Sequence, residues 1–125
     1  MPGLTLDAGA LIAFERNDRR VVALLARALA HELPLVVPAG VVGQVWRDGR
    51  RQARLARLLA ADEVEVEILD DRRARAAGQL CGVKRTADVI DASVVLGARE
   101  RGDRVVTSDP DGLGRLDATL ELIVV

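Results

Sequence analysis

Short apolar runs alternate along this chain with longer stretches in which apolar residues recur every three or four positions. Leu4-Thr5-Leu6 predicts a strand that stops at Asp7 and turns through Ala8-Gly9-Ala10. Leu11-Ile12-Ala13-Phe14 begins a short helix, which Asn17-Asp18 breaks. Val21, Val22, Leu24, Leu25, Ala28 and Leu29 keep helical spacing and predict an amphipathic helix over about 18–31, with His31 at its end in a capping position. Leu35-Val36-Val37 reads as a fully apolar strand, and Pro38 suits the first turn of the helix that follows. That helix carries Val41, Val42, Val45 and Trp46 on its buried side, Trp46 serving as core or as an interface anchor.

A second helical run covers roughly 50–61, with Leu55, Leu58 and Leu59 facing inward. Glu63 to Leu69 alternates acids with Val64, Val66 and Ile68, the pattern of a strand with one exposed face at a sheet edge. Helix returns over 71–82, with Gly82 as its expected C-cap, and again over 88–101, ended by Gly102. Val105-Val106 is a short strand, and Leu120 to Val125 supplies the last one. Strands alternating with helices in this way predict an α/β fold, a mostly parallel sheet with helices on both faces, in one domain spanning 1–125.

Composition narrows the picture only in places. Half of the residues are hydrophobic, but Trp46 and Phe14 are the only aromatics, so the core must be aliphatic. The net charge of −1 gives no global field to draw in nucleic acid. Cys81 is alone, which excludes an internal disulfide and a cysteine zinc site and suits a small buried apolar role. No signal-like N-terminus and no apolar run of membrane-spanning length is present, so the expectation is a complete cytoplasmic protein without membrane contact.

Acids change the picture more. Asp7 ends the first strand; Asp88 and Asp91 open a helix, three residues apart and so on one face; Asp109 and Asp111 follow Val105-Val106-Thr107-Ser108. In a parallel sheet, ligands bind outside the carboxyl ends of the strands, and these acids converge on that edge. Like charges brought together repel unless a cation offsets them, and a hard divalent ion favours oxygen ligands. Duller roles compete: Asp88 reads first as an N-cap with Asp91 completing the arrangement, and Asp111 after Pro110 is as much a turn residue as a ligand. Asp7 and Asp109 resist such explanations, since each terminates an apolar strand.

Four segments, Leu4-Thr5-Leu6-Asp7-Ala8-Gly9-Ala10-Leu11-Ile12, Val36-Val37-Pro38 leading to Gly43-Gln44-Val45-Trp46, Ile90-Asp91-Ala92-Ser93-Val94-Val95 and Val106-Thr107-Ser108-Asp109, carry a resemblance. In order and spacing the set resembles a PIN domain, and most of all the VapC-type toxins of bacterial toxin–antitoxin pairs, over nearly the whole chain. The resemblance implies that Asp7, Asp91 and Asp109 are the catalytic, Mg²⁺- or Mn²⁺-binding acids, with Asp88 and Asp111 as supplements and Thr107 and Ser108 beside them. It further implies endoribonuclease activity on structured RNA, a homodimer, and a small cognate antitoxin that blocks the acidic pocket. One position departs from the family pattern: Gln44 stands where a glutamate is usual. An amide keeps a ligand oxygen but removes a charge, so metal affinity should fall. A weakened PIN-like domain acting by RNA or protein binding alone is therefore the alternative.

Arg47, Arg50, Arg51, Arg54 and Arg57 follow Gln44 at helical intervals. Part of such a stripe would lie beside the acids, where Arg47, Arg51 and Arg54 would grip RNA phosphates or an acidic segment of a partner; a solvated helix face is the competing explanation.

Overall fold

The computed structural model describes residues 2–125. Its elements run β1 (Leu4–Leu6), α1 (Ala8–Glu15), α2 (Arg19–Ala30), β2 (Leu35–Pro38), α3 (Ala39–Val45), α4 (Ala53–Ala60), β3 (Val64–Glu67), α5 (Asp71–Lys84), α6 (Val89–Arg101), β4 (Arg104–Thr107), α7 (Pro110–Leu116) and β5 (Leu122–Val124). The five strands form one sheet in the order β3-β2-β1-β4-β5, and every pairing is parallel. Every residue of β1 and β2 is buried, so helices cover both faces of the sheet's centre, as an all-parallel sheet requires. The strand expected over 63–69 spans Val64–Glu67 and does lie at an edge, but its faces are not divided as expected, since Val66 (41%) and Ile68 (78%) are exposed alongside Glu65. The aliphatic core runs from Leu4 and Leu6 through Val37, Val94 and Val106, and Cys81 is a buried part of it.

Four other local expectations need correction. Helix α5 runs through Gly82 to Lys84, and its left-handed cap is Arg85 at φ 57. The N–H groups of Arg85 and Thr86 both return to the Cys81 carbonyl there, which closes the helix without glycine. Residues 110–116, read only as a turn, form α7: Asp109 caps it by accepting the Gly112 N–H at 3.0 Å, and Pro110 begins the helix.

Trp46 is 38% exposed and lies just past α3, not on its buried side. Last, the helical run expected over 50–61 begins only at Ala53. The cause is buried Gln52, whose amide oxygen accepts the N–H groups of Arg47 (2.7 Å) and Asp48 (3.0 Å) while its nitrogen donates to the Val45 carbonyl at 2.9 Å. One side chain thus satisfies the backbone of a loop that separates α3 from α4.

A polar cluster ties the sheet together. The Arg101 guanidinium donates to Asp103 at 2.8 Å and to Thr5 at 2.9 Å, and it also pairs with Glu67. Asp103 accepts the Gly3 N–H at 2.7 Å and the Thr5 hydroxyl at 2.9 Å. Burial opposes the charge on Asp103, but Arg101, Gly3 and Thr5 outweigh it and hold the carboxyl below its ordinary range. No helix among the described residues is long and apolar enough to cross a membrane.

Candidate metal centre

Parallel pairing sets Leu6 beside Val106, so β1 and β4 end together and deliver Asp7 and the Thr107-Ser108-Asp109 turn to one edge of the sheet. Asp7 is 6% exposed and caps α1 by accepting the Ala10 N–H at 3.0 Å. Thr107, wholly buried, binds this corner together: its hydroxyl oxygen accepts the Asp109 N–H at 2.9 Å, and its hydroxyl supports the Asp7 carboxylate. Ser108 and Asp109 are exposed.

Asp88 caps α6 by accepting the Asp91 N–H at 2.9 Å, the capping role that spacing favoured for it. Asp91 itself is only partly exposed.

Electrostatics show which acids share a neighbourhood. Burial raises the Asp7 carboxyl, and the charge of Asp109 adds to it, against the hydrogen bonds from Thr107, Ala10 and Gly9. Asp91 is pushed up to about 7, first by burial, then by the charge and hydrogen bond of Asp88 and the charges of Asp7 and Asp109. Asp109 thus bears on Asp7, and Asp88, Asp7 and Asp109 all bear on Asp91. Asp111, exposed in the first turn of α7, does not figure among the main charges on Asp7 or Asp91.

None of these five acids forms an ion pair among the described residues. Nor do three acid or imidazole side chains among those residues converge into a finished ligand cage. What stands at the sheet edge is an open acidic group with hard oxygen donors and no basic partner, and that donor set fits Mg²⁺ or Mn²⁺.

Gln44 is exposed on α3, which packs between α1 and α6. Gly40, one turn earlier on the same face, lies so close to α6 that a Cβ would meet Ile90 at 2.8 Å. The predicted arginine stripe is not continuous, because Trp46–Gln52 lies outside both helices. Arg47 folds back on the carbonyls of Trp46 (2.7 Å) and Gly43 (3.3 Å), Arg51 sits 3.9 Å from Asp48, and only Arg54 and Arg57 share a helix.

Sequence reasoning passed over Gly9. A Cβ there would lie 1.9 Å from the Ser108 hydroxyl and 3.0 Å from the Ser108 nitrogen, so glycine lets the first turn of α1 close on the turn that carries Asp109. Its place in Asp-Ala-Gly-Ala was the available signal. A depression of about 670 Å³ lies elsewhere, against β3, α5 and α6. Its Arg73 is already paired with Glu67 and Glu100, and none of the five acids lines it.

A family model described as PIN domain matches residues 4–118. No curated protein sequence is significantly similar to the chain. Among solved structures, VapBC2 from Rickettsia felis bound to a DNA fragment from its promoter is similar with a TM-score of 0.71 and 16% identity, covering 98% of each chain. FitAcB from Neisseria gonorrhoeae gives 0.66 and 16%, covering 96% of each chain. FitAB bound to an IR36 DNA fragment gives 0.65 and 14%, covering 97% of this chain and 94% of that one. At such identities the likeness is one of fold.

Proposed function

This chain belongs to the PIN-domain family, and from that premise we propose that it is a divalent-metal-dependent endoribonuclease, the toxin of a toxin–antitoxin pair. The observation that carries this is the group of Asp7, Asp88, Asp91 and Asp109, brought from three parts of the chain and paired with no basic residue among the described residues. Asp7, Asp91 and Asp109 would hold Mg²⁺ or Mn²⁺, with Asp88 and Gln44 alongside and Asp111 at the margin. The bound ion supplies an activated water and offsets charge that develops on the phosphodiester.

The chain's own residues set the geometry. Thr107 fixes Asp7 and Asp109 relative to each other, the Asp88 cap fixes Asp91, and Ser108 borders the group. Arg47, Arg51 and Arg54 are exposed and would meet RNA phosphates from separate positions, not from one helix face. On this reading the chain pairs with a small antitoxin, forms a homodimer and acts in the cytoplasm; the shared fold of FitAcB, FitAB and VapBC2 accords with the toxin–antitoxin part of it.

Gln44 and the open spacing of the acids favour one alternative, a PIN domain that binds RNA or protein without cutting. The deciding experiment incubates purified protein with total RNA, with and without Mn²⁺. Cleavage only with metal, lost in Asp7→Asn, Asp91→Asn and Asp109→Asn variants that still fold, is the expected result. If all three variants cleave as well as wild type, the assignment is wrong. If wild type binds RNA but never cuts it, the alternative holds.

A further inference from the structure

We propose that the groove between α2 and the outer edge of β5 is a docking surface for an extended acidic and aliphatic segment of a partner protein. Two adjoining depressions of about 380 and 230 Å³ share Leu24 and Arg27 and so form one groove along α2. Arg20, Leu24, Arg27 and His31 follow at intervals of four, three and four, which sets them in one stripe along α2 and its cap. Across from them stand Ile123 on β5 and Arg104 on β4.

Charge identifies the occupant. No Asp or Glu side chain lines either depression, although the chain as a whole is slightly acidic. Arg20, Arg27 and Arg104 make no ion pair, and their guanidinium groups make no hydrogen bond, among the described residues. Other arginines, such as Arg54, Arg57 and Arg115, are likewise without an ion pair among the described residues; what sets Arg20, Arg27 and Arg104 apart is that they line one groove together with Leu24 and Ile123. Three unpartnered guanidinium groups over an aliphatic floor suit carboxylates alternating with aliphatic side chains.

Backbone geometry agrees. β5 is the last strand of its sheet, so one row of its N–H and C=O groups faces no strand, and Val124 is 55% exposed. A strand added at such an edge gains main-chain hydrogen bonds and presents alternate side chains to the groove. Nucleic acid fits less well, since no aromatic ring lines the groove for base stacking and a phosphate backbone would leave the aliphatic floor wet. The surface contains none of the acids of the candidate metal centre, so this inference stands whether or not the chain cuts RNA.

The experiment is fluorescence anisotropy of the full chain with a labelled peptide of alternating Glu and Val. Saturable binding is expected, at least about tenfold weaker for a Glu–Ser peptide that keeps the charge but lacks the aliphatic groups. Arg20→Glu with Arg27→Glu should weaken the Glu–Val peptide by more than about tenfold, because attraction becomes repulsion. Exposed Ala23, which lines the same groove, offers a milder variant, Ala23→Glu, that should weaken it in the same direction. Arg75→Glu on α5 should leave binding unchanged, and thermal unfolding checks that each variant is folded.

Equal affinity for the Glu–Ser peptide would overturn the proposal, as would binding indifferent to Arg20, Arg27 and Ala23. A single-stranded oligonucleotide that outcompetes the peptide would assign the groove to nucleic acid instead. Self-association abolished by the arginine reversals, measured by sedimentation, would assign it to a second copy, whose acidic β3 edge is the obvious counterpart.

Discussion

Asp91 gives its backbone N–H to the carboxylate of Asp88 at 2.9 Å, and the turn that makes this bond also sets the two acids against each other. Asp91→Asn keeps the backbone bond and removes one of the repelling charges. Burial, then Asp88, Asp7 and Asp109, push the Asp91 carboxyl up to about 7, well above its value in the unfolded chain. A carboxyl raised on folding binds its proton more tightly in the native state, so it costs stability as pH rises from about 4 to about 7. Without metal, the asparagine variant should match wild type near pH 4. It should exceed wild type by about 1–2 kcal/mol above pH 7, a figure reduced for partial solvent screening. Chemical denaturation across that range measures it; a constant difference would mean that Asp91 does not titrate in this window.

Asp103 has the opposite sign. Its side chain is 2% exposed, and Arg101, Gly3 and Thr5 hold its carboxyl below the ordinary range despite burial. Its contribution is complete above the unfolded value of about 4 and is lost as pH falls through the depressed native value. Asp103→Asn should cost about 2–3 kcal/mol at neutral pH, since it leaves Arg101 short of an acceptor inside the sheet. The acid-unfolding limb should also flatten. A variant as stable as wild type at pH 7 would show that Glu67 alone suffices for Arg101.

Gly9 and Gly43 make a matched pair. Gly9→Ala forces a methyl group toward Ser108, whereas a Cβ at Gly43 meets nothing within 4 Å. The first should cost about 1–3 kcal/mol through overpacking and should lower metal-dependent cleavage, because it separates α1 from the turn bearing Asp109. Adding Ser108→Gly removes the nearest atoms and should restore part of both. Gly43→Ala in α3 should stabilise by about 0.5–1 kcal/mol. Unfolding midpoints of the four proteins test this; a Gly9→Ala protein as stable and active as wild type would show that the close approach is unimportant.

Legibility followed how local each cause was. The sheet could be read because its central strands, such as Leu35-Val36-Val37, are buried on both faces and stay apolar throughout. Asp7 and Asp109 stood out because each ends an apolar strand; that each also caps a helix, the duller role that spacing assigned only to Asp88, was not read from the sequence. Gln52 could not be read, since nothing near it in sequence shows that a loop will fold its backbone onto this amide. Missing that loop produced the continuous arginine stripe and placed Trp46 inside a helix. The α7 helix was obscured by Gly112 and Gly114, which weaken helix propensity, although Asp109-Pro110 was a usable start signal. Which acids share charge with Asp91 depends on how α6 packs on the sheet, and spacing along the chain does not carry that.

Gln44 offers the sharpest test of the centre as a whole. It lies on the helix between α1 and α6, one turn beyond the contact of Gly40 with Ile90, and it carries no charge where the resemblance to the family implies a glutamate. If it faces the acids, Gln44→Glu adds a negative charge to a group that already repels itself. Without metal the variant should then be less stable than wild type, by about 1 kcal/mol for a charge on an exposed helix face. Millimolar Mn²⁺ or Mg²⁺ should reverse the order, because an ion that binds only the folded state stabilises it by mass action, and the added ligand tightens that binding. RNA cleavage should rise in parallel, or appear if wild type has none. Thermal unfolding of both proteins across a metal titration, with cleavage measured on the same samples, follows all three effects. If the glutamate variant gains no more from metal than wild type does, Gln44 does not face the ion, and the centre rests on Asp7, Asp91 and Asp109 alone.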